Sequence, residues 1–242
     1  MIKSLQKIAP DFSRRLLNRL GLNNSYRPSV GSVRRGHMNS LHPFSDGFGY
    51  DRGLPVDRYY IENFLQEESA SIKGRVLEIG DNEYTMRFGG KNVTKSDILH
   101  VNHDNPHATI IGDLSDVPQI EDNTFDAIVL TQTLHLVYDY HKVIRTCYRI
   151  LKPGGVLLLT VPGITPVNVD EWNFLYSFTE RSLNMILSET FPHDKVDTNC
   201  HGNVFVACSF LYGMAVAEVK KKQLDFKDDR FQVVVTGKAV KP

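Results

Sequence analysis

The sequence lacks most of the features that would take it out of the ordinary globular class. Its 28 basic and 28 acidic side chains cancel to a formal net charge of zero, so no broad nucleic-acid-binding face is implied. There are three cysteines, Cys147, Cys200 and Cys208, an odd number with no CxxC pair. That argues against a disulfide framework or structural zinc and for a reducing compartment. No apolar run approaches the ~20 residues that span a bilayer. Pro10 and Asp11 interrupt any signal-like stretch at the N-terminus, and a cytoplasmic location is expected. A complete G-x-G-x-x-G fingerprint is missing as well, which leaves a pyrophosphate cradle poorly supported. There is no internal repeat and no low-complexity tract.

What is present suits one large α/β domain. The chain has 242 residues, 41% of them apolar and 23% charged, enough for a single good core. Residues 1–21 form a basic amphipathic stretch. Leu5, Ile8, Phe12, Leu16, Leu17 and Leu20 recur at helical spacing among Lys3, Lys7, Arg14, Arg15 and Arg19. Such a helix packs on its own domain or on a partner subunit, as in a homodimer, or lies on an anionic membrane surface. Residues 22–54 are rich in Gly, Ser, Asn, Pro and Arg and read as a long irregular arm. The expected organisation is therefore an N-terminal helix and arm over 1–54 and the folded domain over 55–242.

Within that domain, RVLEIG, DILHVN, FDAIVLTQ and GGVLLLTVP are short apolar runs, and FQVVVTGKAV closes the chain. Helices are expected at Pro55–Gln66, His141–Leu151, Thr179–Thr190 and Val204–Val219. Alternation of this kind predicts a Rossmann-like, mostly parallel sheet with a final antiparallel strand and helices on both faces.

In an open parallel sheet a ligand sits beyond the carboxyl ends of the strands. Four such ends carry polar residues. Glu78 and Gly80 end the first run, where glycine lets backbone approach a ligand and Glu78 could hold an ammonium. Asn102 and Asp104 fall 22 and 24 residues beyond Gly80, near the place of a ribose-reading acid. Asp113 could accept from an adenine amino group while Leu114 packs on the ring. Thr131 and Gln132 begin LTQTLH, which would face the transferred group.

This order of features resembles class I S-adenosylmethionine-dependent methyltransferases of the type 11 kind. The residues that carry it are LEIGDNEY, IGDLSD, TFDAIVLTQTLHLVYD and YRILKPGGVLLLTVPG. The wider pattern of DRGLPVDRYYIENFL and HGNVFVACSFLYGMAVAEV resembles a bacterial branch found with glycosyltransferases in polysaccharide biosynthesis. The resemblance implies S-adenosylmethionine as cofactor and a sugar or glycan hydroxyl as acceptor, with glycosyltransferase or membrane association through residues 1–21. It implies that Glu78 and Gly80 contact the methionine end, Asn102 the ribose, and Asp113 and Leu114 the adenine. Thr131 and Gln132 would lie beside the methionine amino group. The departures at Asn82 and Asn102 keep a second reading open, a non-catalytic binding subunit on the same fold.

On the acceptor side His135 is the candidate general base, with an imidazole expected to titrate near 6.5. Tyr138, His141 and His201 are its rivals. Tyr138, Trp172 and His201 are expected to line the acceptor. Arg58, Tyr59 and Tyr60 either lid the cofactor, with Tyr60 in contact, or anchor their helix on the sheet. His100, His103, Asp104 and His107 cluster in a strand and a Pro-containing loop with no fixed helical face, and no metal site is expected there.

Overall fold

The computed structural model describes residues 27–167 and 173–242, together with Ser13, Leu16 and Leu17. The expectation for the rest of the 1–21 helix and the one for Trp172 lie outside the described residues.

Seven strands form one sheet: β1 Gly74–Ile79, β2 Val93–His100, β3 Ile110–Ile111, β4 Phe125–Thr131, β5 Leu151–Pro162, β6 Val196–His201 and β7 Val234–Val240. Their spatial order is β3-β2-β1-β4-β5-β7-β6. Strands β1 to β5 pair in parallel, and β7 runs antiparallel to both β5 and β6. The helices are α1 Val56–Glu67, α2 Tyr140–Ile150, α3 Glu180–Ser188, α4 Val204–Leu211 and the single turn α5 Lys221–Leu224. Local chemistry sets their starts. Pro55 precedes α1, Asp139 accepts the Lys142 N–H at the start of α2, and Thr179 and Ser182 form a reciprocal cap on α3.

Alternation along the strands sorts the core into two layers. Leu77, Ile128, Leu157 and Leu159 face α2 and α3, meeting Ile144, Leu183 and Leu187. Val76, Ala127, Val129 and Leu158 face α1 and α4, meeting Ile61, Leu65, Val206 and Phe210. The central strands are buried on both faces, which is why they read as continuous apolar runs.

The structure differs from the sequence reading, or adds to it, at four places. The helix from Val204 stops at Leu211 and not at Val219. Gly213 adopts φ +68°, where a Cβ would strike Ser45 O at 2.6 Å, and Ala215 then bridges to Pro55. Strands β3 and β6 were not anticipated, because β3 has two residues and β6 is a half-exposed edge. The β1–β2 connection holds no ordinary α-helix, only a π-helical turn at Thr85–Gly89 and a 3-10 turn at Gly90–Asn92, and no helix lies between β2 and β4. The strand expected over DILHVN begins earlier, at Val93, and ends at His100, which leaves Asn102 in the following loop.

Residues 27–54 are irregular apart from a 3-10 turn at Arg35–Asn39, yet they are docked. Phe44 is buried and stacks on Tyr212 at 5.0 Å. The Arg52 guanidinium meets the Glu218 carboxylate at 2.6 Å, with side chains 5% and 1% exposed. Among the described residues no helix is long and apolar enough to cross a membrane, and no group of three or more His, Cys, Asp or Glu is placed to hold a metal ion. All three cysteines are free.

Candidate cofactor and acceptor site

The chain leaves β1 for β2 on one side of the sheet and returns to β4 on the other. The crevice beyond β1 and β4 is therefore the point where strand order switches. Gly80 ends β1 there with φ +93°, a conformation open to glycine and strained for other residues. A Cβ added to it would meet nothing within 4 Å, so the backbone faces open space. Its N–H donates to Leu99 O at 2.9 Å. Across the crevice Gln132 follows β4 with φ +44°, costly for a residue with a side chain. Its N–H donates to Thr160 O at 2.9 Å and its Nε2 to Thr160 Oγ1 at 3.3 Å. Thr131, half-buried, accepts from Thr133 Oγ1 at its carbonyl.

Glu78 is buried on the α1 face, 2% exposed. Its carboxylate accepts the N–H of Thr85 at 2.7 Å and of Tyr84 at 3.3 Å. Burial is the larger influence and pushes its pKa up to about 7 despite those donors. Glu78 thus holds the π-helical turn that follows Gly80.

Asn102 lies in an exposed turn, tied to Asp104 by two hydrogen bonds, Nδ2 to Oδ2 at 2.7 Å and Oδ1 from the Asp104 N–H at 3.0 Å. The residue of this loop that touches the glycine turn is Asn105, whose Nδ2 donates to Gly80 O at 2.6 Å. Sequence reasoning missed it. The one signal was an Asn-Pro pair, a turn former. Asp113 is exposed and accepts the Ser115 N–H at 2.8 Å, while Leu114 is 4% exposed in the core layer of Leu77.

On the acceptor side His135 sits in the 3-10 turn Leu134–Leu136. It is 6% exposed, its Nδ1 is buried without a hydrogen-bond partner, and its ring lies 4.6 Å from Phe174. Burial draws its pKa down to about 4, which corrects the expected value near 6.5. Tyr138 stands 80% exposed beside it. His141 is paired with Glu189 at 2.9 Å, on α2.

Tyr60 and His201 are brought together, but not here. Their rings stack at 5.6 Å, the Tyr60 hydroxyl donates to Leu224 O at 2.9 Å, and His201 Nε2 meets Thr236 Oγ1 at 3.2 Å. His201 ends β6, three strands from β4 and four from β1, roughly 14 and 19 Å at normal strand spacing. The expected cofactor contact of Tyr60 and acceptor contact of His201 are therefore corrected to an anchor between α1 and the sheet edge. Arg58 turns instead to the docked arm, donating to the Tyr50 hydroxyl at 2.8 Å.

The groups at the crevice fit a small cationic nucleoside ligand without phosphates. Backbone is open at Gly80, amides stand at Asn105 and Gln132, and an exposed carboxylate stands at Asp113. Comparison with known proteins agrees. A family model described as a methyltransferase domain matches residues 76–159. A demethylmenaquinone methyltransferase of Listeria monocytogenes serotype 4a is 32% identical over 129 residues, 53% of this chain and 51% of that protein. The matches thus span about half the length of the curated relatives. The crystal structure of a SAM-dependent methyltransferase from Archaeoglobus fulgidus aligns with TM-score 0.54 at 14% identity, covering 76% of this chain and 94% of that one. Phosphoethanolamine N-methyltransferase 2 of Haemonchus contortus, solved with S-adenosyl-L-methionine, aligns with TM-score 0.51 at 15% identity, covering 97% of this chain and 60% of that one. At such identities the two structures speak to the fold. Matched motif, strand order and open glycine turn converge: over residues 76–159 the chain carries a class I S-adenosylmethionine-dependent methyltransferase domain.

Proposed function

We propose that the chain transfers a methyl group from S-adenosylmethionine to a hydroxyl of a small acceptor. The observation that carries this is the open, left-handed Gly80 turn set across the switch crevice from the left-handed Gln132. When bound, the cofactor supplies a sulfonium methyl whose carbon–sulfur bond breaks toward sulfur as the acceptor bonds to carbon. Gly80, Asn105, Thr131 and Gln132 hold its methionine end, Asn102 or Asp104 its ribose, and Asp113 with Leu114 its adenine. His135 takes the acceptor proton. Its imidazole is neutral at working pH, ready to accept, though weakly basic.

The sequence resemblance supports a sugar or glycan precursor as the acceptor, with a glycosyltransferase or membrane surface met through residues 1–21. The name of the Listeria relative specifies a quinone instead. Three free thiols accord with the cytoplasm as the place of work. Calorimetry with S-adenosylmethionine and S-adenosylhomocysteine, followed by mass spectrometry of methylated product, tests the proposal. Tight binding of both is expected. A non-catalytic binding subunit is the second reading, favoured by the engagement of Glu78 and Asn102 within the protein. Absence of binding at millimolar cofactor would select it.

A further inference from the structure

The acceptor side of the crevice differs in chemistry from the rest of the rim. Residues 127–141 and 153–180 supply most of β4 and β5 and the loops beyond their carboxyl ends, and they contain no lysine or arginine. Of the basic side chains that bound them, two are engaged, and Arg181, at the start of α3, is exposed. Lys142 Nζ lies 3.2 Å from Asp139, and Lys152 Nζ lies 2.7 Å from Asp126, at the opposite end of the sheet. Arg58, in the first turn of α1, is held by Tyr50.

The wall around His135 is built of rings and neutral groups. Residues 173–178 are fastened over it by the Leu175 N–H on His135 O at 3.0 Å, Asn173 Nδ2 on Leu136 O at 3.3 Å and the Tyr176 hydroxyl on Tyr138 O at 3.0 Å. This strap fixes Phe174 against the imidazole and leaves Leu175 39% and Tyr138 80% exposed. The imidazole is uncharged near neutrality. An anion entering such a site loses water and finds no lysine or arginine in residues 127–141 or 173–180, which is strongly unfavourable. A neutral ring loses little, stacks on aromatic faces and offers its hydroxyls to the histidine.

We infer that the acceptor bound beside His135 is an uncharged hydroxylated ring, and not a phosphate-bearing one such as a nucleoside-diphosphate sugar. This rests on the methyltransferase reading above. Two sources share that chemistry, a neutral glycoside and a hydroquinone.

The test is calorimetry on full-length protein saturated with S-adenosylhomocysteine, titrated with an aryl glycoside, a hydroquinone, the phosphate monoester of each, and a nucleoside-diphosphate sugar. Product analysis with S-adenosylmethionine runs in parallel. At least one neutral ring binds, and its phosphorylated counterpart binds about 100-fold more weakly. Which neutral ring is favoured separates the two sources. Leu175→Lys, at a partly exposed position, narrows the gap by about 10-fold. Binding of a phosphorylated member as tight as its neutral counterpart, or binding of none of the panel, overturns the inference while leaving cofactor binding intact. Failure of S-adenosylhomocysteine to bind overturns the methyltransferase reading itself and the inference with it.

Discussion

Strands β4, β5 and β7 lie between packed helices, whereas β1, β2 and β3 follow one another through a π-helical turn and a helix-free loop. The helix-clad half supplies most of the fully buried side chains, among them Leu157, Leu159, Leu183, Leu187 and Val235. The thinner half presents charge at its rim, through Asp81, Glu83, Asp104 and Asp113. The difference separates two tasks. Stability is concentrated where helices can bury area on both faces, and ligand reading falls to loops freed from that duty. The crevice between β1 and β4 is the seam, and an aromatic, cation-free wall closes its clad side.

The largest expected effect breaks the clad half alone. Glu218→Ala strands the buried Arg52 guanidinium and the N–H groups of Gly31 and Ala215 that its carboxylate accepts. Losing one partner of a buried pair costs about 3–5 kcal/mol. Urea unfolding should show that loss, while cofactor affinity per folded molecule stays unchanged. The equivalent break in the thin half, Asp97→Ala against the 34%-exposed Arg75, costs less because water reaches the stranded cation. Equal losses from the two variants would remove the distinction.

At the seam, His135→Gln should lower turnover by about 100-fold, equivalent to roughly 2.7 kcal/mol of barrier. Backbone bonds from Leu175 and Tyr176 to residue 135 remain available, so the thermal midpoint should move little. In the wild type the rate should already be flat at pH 6 and fall only toward pH 4, following the depressed imidazole. A rate inflection near 6.5, or activity lost only in proportion to unfolding, would remove His135 as the base.

The same division explains what could be read from sequence. The buried strands β1, β4 and β5 announced themselves as apolar runs, and α1, α2 and α3 by their caps and periodicity. The positions of Gly80, Thr131, Gln132 and His135 at strand ends were legible because a parallel strand's carboxyl end can be located from its run. Tyr60 and His201 were not, since pattern does not reveal that β7 inserts between β5 and β6 and carries His201 to the far edge. Strand β6, with alternate residues exposed and one neighbour, lacks the burial that makes a run visible. Asn105 was hidden because its hydrogen bond to Gly80 depends on the path of a loop.

Acid stability should show the balance of buried groups. Burial, with Lys227 adding to it, lowers the pKa of His201 to about 4, like that of His135. Each histidine's contribution is complete above 6.5 and is lost as pH falls toward 4, because the unfolded chain takes up a proton that the folded one refuses. Glu78 acts in the opposite sense. Its contribution is complete below 4.5 and is lost as pH rises through about 7. Between pH 4.5 and 6.5 these three groups leave a net difference of about one proton, so stability should rise with pH by about 1.4 kcal/mol per unit. His201→Gln, at the clad edge, should flatten that slope toward zero. An unchanged slope would mean that His201 titrates while folded.

The smallest effect probes the seam itself. Gln132 and Asn123 both hold positive φ, +44° and +54°. Asn123 turns the chain into β4 at the end remote from the crevice. Glycine relieves left-handed strain by about 1 kcal/mol and gives back a similar amount in unfolded-chain entropy. Both Gln132→Gly and Asn123→Gly should therefore stay within about 1 kcal/mol of the wild type in urea unfolding, even though Gln132→Gly forfeits the bond to Thr160 and Asn123→Gly the one from Lys241. Their ligand behaviour should diverge. Gln132→Gly frees the backbone opposite Gly80 and removes an amide from the crevice, so S-adenosylhomocysteine should bind about 10-fold more weakly. Asn123→Gly should bind it as the wild type does. Strain held at Gln132 then serves ligand placement, whereas strain at Asn123 serves only the turn. If both variants bind alike, the left-handed residue after β4 has no part in the site, and the seam must be read from Gly80 alone.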